Sequence, residues 1–138
     1  MAIQQGATDA FATGLMNGVY NFTTDSFKIA LYTGSASIGP DTAIYTVANE
    51  VVATGYTAGG IALTVSVAPT SANNTAYISF SNVTWNAALT TSGALIYKSG
   101  GTNPTVCVLD FGGEKISTAT FTIQFPTANS SDAIIRIT

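Results

Sequence analysis

The chain has 138 residues and a mass of 14.1 kDa, the size of one ordinary domain with room for its own core. Charge is scarce: four Lys+Arg stand against seven Asp+Glu, 8% of the chain, for a net charge of −3. No histidine and a single cysteine, Cys107, exclude Ser–His and Cys–His nucleophile systems, histidine-ligated zinc, thiolate clusters and intrachain disulfides. Four scattered cations are also too few for a nucleic-acid-binding face.

In chain order, Met1 to Ala7 carries no charge and no periodicity and reads as an extended arm. Such an arm is suited to lie across a neighbour and order on contact, which makes Ala2, Ile3, Gln4 and Gln5 the candidate protein-interface residues. Thr8 or Asp9 is placed to cap a short helix that puts Phe11, Leu15 and Val19 on one face, with Asn17-Gly18 as its stop. After Asn21 the period changes to that of strands. Phe27 to Thr33 alternates with Phe27, Ile29 and Leu31 on one side, and Gly39-Pro40-Asp41 supplies turn chemistry after it. Ile44 to Val52 fits either a short helix or irregular chain.

Ile61 to Val67 and Ala76 to Phe80 flank Ser71-Ala72-Asn73-Asn74, a hairpin-type connection. Val83 and Trp85 share a face. Gly93 to Tyr97, Val106 to Phe111, Ala119 to Phe125 and Ala133 to Ile137 complete the strands. Their separators, among them Ser99 to Pro104, Gly112-Gly113-Glu114-Lys115 and Pro126 to Asp132, are dense in turn formers. The fold class expected is therefore all-β: one domain over 1–138, a two-sheet, jelly-roll-like β-sandwich of about eight short strands with one short N-terminal helix. Phe27, Ile29, Leu31, Trp85, Ile96, Leu109, Phe121, Ile123 and Ile135 form the expected core.

Thr (22) and Ser (12) occupy 34 positions, a neutral coat suited to the solvent faces of strands. A charge-poor surface favours association, so the chain is expected in a multicopy assembly. No basic segment precedes an apolar stretch, the first cation being Lys28, and no apolar run approaches the roughly 20 residues of a membrane span. Neither a secretion signal nor a membrane partner is expected. Without a secretion signal, the N-glycosylation patterns at Asn21, Asn73, Asn82 and Asn129 carry no weight.

Candidates for chemistry each have a plainer explanation. Gly55-Tyr56-Thr57-Ala58-Gly59-Gly60 lacks the Gly-Lys-Ser/Thr ending of a phosphate loop and reads as a tight turn into the strand at Ile61. Asp110 and Glu114, the latter in a turn beside Lys115, are explained by a surface ion pair rather than a glycosidase pair. Asp41, Glu50 and Asp132 do not match calcium-loop spacing. Serines are so frequent that Ser26 near Lys28, or Ser99 beside Lys98, carries no signal for a Ser–Lys hydrolase. Cys107 reads as a small buried hydrophobe on a core strand. No enzymatic activity and no cofactor or metal is expected.

Several segments in order carry a resemblance. They are Phe27-Lys28-Ile29-Ala30-Leu31-Tyr32-Thr33, Asn49-Glu50-Val51, Gly55 to Gly60, Val83-Thr84-Trp85 and Gly93-Ala94-Leu95-Ile96-Tyr97. Val108-Leu109-Asp110-Phe111-Gly112, Phe121-Thr122-Ile123-Gln124-Phe125-Pro126 and Ala133 to Ile137 follow. The series, from about Asn17 to the C-terminus, resembles a group of small virion structural proteins of tailed bacteriophages. The resemblance implies a non-enzymatic part of a virus particle, made in the host cytoplasm. It implies first a capsid decoration (cement) protein on the capsid exterior, with the major capsid protein and neighbouring copies as partners. A tail, neck or fibre-associated protein, including a host-glycan-binding module, is the alternative. No site residues are carried over from the group.

Overall fold

The computed structural model describes residues 2–138. The chain is all-β and sandwich-like, 44% strand and 6% helix, with one short helix. In order, the elements are β1 (Gly6–Ala7), α1 (Asp9–Met16), β2 (Phe27–Tyr32), β3 (Ile61–Leu63), β4 (Val65–Ala72) and β5 (Thr75–Phe80). Then come β6 (Val83–Trp85), β7 (Thr90–Lys98), β8 (Thr105–Ile116), β9 (Phe121–Ile123) and β10 (Ile135–Ile137). A central antiparallel sheet runs β1-β8-β7-β2-β3; against it lie a three-stranded sheet, β10-β5-β4, and a two-stranded one, β6-β9. The two-sheet expectation is therefore amended in detail, with ten strands among the described residues in place of about eight. The second layer is split, and of the seven strand pairings β2–β3, β4–β5 and β7–β8 join consecutive strands while the other four join strands distant in sequence.

Local chemistry accounts for the boundaries. The Thr8 hydroxyl accepts from the Phe11 N–H at 3.1 Å, capping α1, and Asn17 closes it before Gly18 turns at φ +71°. Val19 lies past the helix and is exposed, so the helix buries Phe11 and Gly14 instead. β4 and β5 meet across Asn73-Asn74 with φ of 52° and 63°, the backbone of a type I′ hairpin turn. Gly112-Gly113, expected as a separator, lies inside β8. Positive φ at both glycines coincides with a register shift against β7, so the strand bends and continues to Lys115 and Ile116.

The central sheet is buried on both faces. Phe27, Ile29, Leu31, Ala94 and Ile96 point into the main core with Ile78, Phe80, Val83, Trp85 and Ile123 from the smaller sheets. Phe22 stacks on Phe27 at 4.6 Å, and Tyr56 stacks on Trp85 at 6.1 Å. Leu109, Phe121 and Ile135, expected in the core, are half-buried at its margin. The alternate residues Ala30, Tyr32, Leu95, Tyr97 and Val108 form a second core with Ala36 and Ile38. Register keeps the two apart: Ile29 faces Ile96 across the β2–β7 ladder, and Ala30 faces Leu95. The segment 44–52 is irregular chain with isolated bridges rather than a helix.

The arm is extended but not free. Ile3 bridges Ile38, the Gln4 N–H donates to the Ile38 carbonyl at 2.9 Å, and Gly6 and Ala7 pair with Val108 and Cys107. Ile3 packs on the second core. Residues 2–7 thus lie along their own domain, with Ile3 and Gln4 on Ile38 and only Gly6–Ala7 forming a short edge strand on β8. Met1 lies outside the described residues.

Candidate functional site

Two features carry polar or apolar groups that packing alone does not require. The first is at the β2 edge. β3 pairs only with Phe27, Lys28 and Ile29, and the rest of that edge is taken by Asn49 to Val51, with Glu50 bridging Tyr32. Glu50 is buried at 5% exposure. Its Oε1 accepts from the Tyr45 hydroxyl at 2.5 Å; its Oε2 accepts from the Tyr56 hydroxyl at 2.5 Å and the Gly59 N–H at 2.8 Å. The Tyr56 oxygen in turn accepts from the Leu31 N–H at 2.9 Å, replacing the ladder partner that β3 no longer supplies. Tyr97 donates to the Gly59 carbonyl and Tyr32 to that of Thr46, both at 2.6 Å.

Burial is the main cause that raises the hydroxyls of Tyr32, Tyr45 and Tyr56 well above the ordinary tyrosine value, with Glu50 adding to it. The same causes push Tyr97 up to about 12. These tyrosines therefore stay neutral donors. The Tyr45 and Tyr56 hydroxyls and the Gly59 N–H replace the water that the buried Glu50 carboxyl would lose. Every polar group of the cluster is engaged by the chain itself, and together these bonds anchor residues 44–60. Gly60 makes the fit possible: a Cβ there would lie 1.8 Å from the Ile29 carbonyl oxygen, and its φ is +83°.

The second feature is a groove where the sandwich stays open. β1 is two residues long and β10 three, so neither sheet reaches far enough to close the edge beside α1. The result is a cavity of about 870 Å³ lined by Phe11, Leu15, Leu109, Ile134, Ile135 and Ile137, with Met16 on the helix side. A second cavity of about 290 Å³ shares Phe11, Leu15, Ile135 and Ile137 and so continues it. Met16 is 83% and Ile137 50% exposed. Arg136 is the one charged residue among the lining. It donates to the Ser131 carbonyl and forms no ion pair; among the described residues the one ion pair is Lys98–Asp25, at 3.2 Å.

The residues singled out from sequence fall in various places. Gln5 lines the groove, and its Oε1 accepts from the Asp110 N–H at 3.1 Å, capping the β8 edge. Ala2 and Gln4 are exposed and Ile3 is half-buried. Asp110 accepts from the Gly112 N–H; Glu114 is exposed and, like Lys115, in no ion pair, so their expected pairing is not formed. Lys98 is held by Asp25 and the Val19 carbonyl, away from any serine hydroxyl. Cys107 is buried, and burial pushes its thiol up to about 12, which keeps it an inert apolar group. Asp41, Glu50 and Asp132 do not converge, and no metal-binding cluster occurs among the described residues. No helix in the described chain is long and apolar enough to cross a membrane.

Sequence reading missed both features. Glu50 was visible only as one acid between Asn49 and Val51, and its tyrosine partners are brought to it from 6 residues away and less by loop geometry. For the groove, the half-apolar pattern Ile134-Ile135-Arg136-Ile137 was the available signal. Comparison with family models, with curated proteins and with solved structures finds no match for this chain.

Proposed function

We propose that this chain is a non-enzymatic structural protein of a bacteriophage particle, acting as a capsid decoration (cement) protein. The observation that carries the non-enzymatic, contact-making part is the character of the exposed apolar surface. Its large exposed hydrophobic residues, Met16, Val19, Ile44, Val47, Val52, Ile116 and Ile137, are all aliphatic. Aliphatic knobs and an apolar groove suit protein–protein contact. A glycan site would present aromatic faces, and the large aromatic side chains here, apart from the half-buried Tyr77, sit in the two cores or pack against them. The phage assignment itself rests on the ordered resemblance of the segments from Phe27 to Ile137.

In this reading the protein binds the assembled shell and not its dissociated subunits, and so stabilises the shell by mass action. Many copies multiply a modest contact. The test is co-sedimentation of the purified protein with undecorated capsids, with tails, and with host-cell envelopes. Binding to capsids, together with a raised temperature of capsid disruption, supports the cement role. Binding to tails alone moves the protein to the tail or neck. Binding to envelopes that is competed by free sugar replaces the reading with a glycan-binding module.

A further inference from the structure

We infer that the open groove of one copy receives the end of β8 from a second copy, joining copies head to tail. The inference deepens the reading above and rests on it for its biological setting, not for its measurement. The groove offers an apolar floor and one cation, Arg136, that lacks a carboxylate partner. Its complement is an exposed aliphatic side chain beside a free carboxylate. Along the chain, Ile116 and Glu114 meet that requirement within a strand. They are two residues apart and therefore on one face of β8, Ile116 is 69% exposed, and Glu114 is exposed with no ion-pair partner.

Lys115 points the other way, so its charge does not oppose Arg136. The position is also rigid, since Lys115 and Ile116 pair with Thr91 and Thr90. Among the other exposed aliphatic residues, Ile44 has the exposed Asp41 three residues away, but in irregular chain rather than on a strand face; Val47 and Val52 have only the buried Glu50 near them in sequence, and Met16 and Val19 have no acid within four residues. Knob and groove are different patches on one chain, so the contact is heterologous and generates a ring or an open row rather than a twofold dimer. Such a contact is small and weak, effective only where copies are crowded.

Covalent trapping reads it directly. A chain carrying Ile116→Cys and Ile137→Cys, with Cys107→Ser in every variant because Cys107 lines the groove, is oxidised in concentrated solution. The expected result is a ladder of disulfide-linked multimers, against dimers at most from either single variant. In the same background, Glu114→Lys or Arg136→Glu reduces ladder formation by about fivefold, as for a partly exposed ion pair. The combination of the two reversals restores it. A chain that stays monomeric, or a ladder indifferent to the reversals, overturns the inference. So does a monomer whose Leu15 and Ile135 resonances shift on adding a long-chain fatty acid, which makes the groove a ligand pocket instead. Capsid co-sedimentation is measured separately, so failure of self-association and failure of the cement reading are distinguished.

Discussion

The two faces of the central sheet are buried by different means. On one, Phe27, Ile29, Leu31 and Ile96 meet other sheets, and side-chain packing does nearly all the work. On the other, Ala30, Tyr32, Leu95 and Tyr97 are covered by irregular chain carrying Ala36 and Ile38, which has no ladder of its own. A cover of that kind leaves backbone groups that need partners. The tyrosine hydroxyls and Glu50 supply them: Tyr32 to Thr46, Tyr97 to Gly59, Tyr56 to Leu31. The lesson is that a loop replaces a sheet as a lid only when buried polar side chains fix it in place.

The largest test of that difference is alkaline pH. Tyr32, Tyr45, Tyr56 and Tyr97 all have folded values raised above 10.0, so the folded state holds protons that the unfolded chain gives up. Stability is therefore flat below about pH 10 and falls above it, each such tyrosine contributing up to about 1.4 kcal/mol per pH unit. Chemical denaturation between pH 8 and 11.5, followed by tyrosinate absorbance, checks this. In a Tyr20→Phe, Tyr77→Phe background, which leaves only the four cluster tyrosines, absorbance that titrates near pH 10 without unfolding contradicts the closed cluster. On the apolar face, Trp85→Ala is expected to cost about 3–5 kcal/mol at neutral pH, measured by urea unfolding. The pH profile of that variant changes only through Tyr56, whose ring loses its stack on Trp85, while Tyr32, Tyr45 and Tyr97 keep their contacts.

Tyr56→Phe sharpens the contrast with a smaller change. The ring still stacks on Trp85, but the Leu31 N–H and Glu50 Oε2 each lose a partner. The expected cost is about 1–3 kcal/mol. It should be accompanied by faster amide exchange at Leu31, where the main core's own ladders stay protected. Unchanged exchange at Leu31 would sink the view that this hydroxyl completes the β2 edge.

How far the sequence shows this contrast depends on range. Alternation in Phe27 to Tyr32, the Asn73-Asn74 turn and the lone Trp85 are local signals, and each places its element correctly. The second core is not visible that way. Ala30 and Tyr32 read as an outer face because only a distant loop, not a strand partner, buries them. Threonine misleads for a similar reason. Its abundance suggests a coat, yet Thr8, Thr91 and Thr105 are fully buried. Their hydroxyls are satisfied by the carbonyls of residues such as Tyr32 and Thr42, contacts set by tertiary placement. The groove is legible only as a shortage of strand, which appears once β1 and β10 are seen to stop short.

The smallest expected effect concerns the N-terminal arm, because it closes the second face at its rim. Residues 2–5 contribute two backbone hydrogen bonds with Ile38, the side chain of Ile3 against the second core, and the Gln5 cap on Asp110. Ile3 lies close against Gly93, where an added Cβ would meet its Cδ1 at 2.8 Å, so the arm seats on the sheet through a gap left by that glycine. Half-burial of one isoleucine and two exposed-edge hydrogen bonds together are worth about 1–2 kcal/mol. Deleting residues 1–5 should therefore lower Tm by several degrees while leaving the main core's unfolding cooperative. Ile3→Ala should account for about half of that loss, and Gln4→Ala, on an exposed side chain, for almost none. An unchanged Tm after deletion would show that the loop alone covers the second face. It would also return the arm to the role of a free segment available to a neighbour.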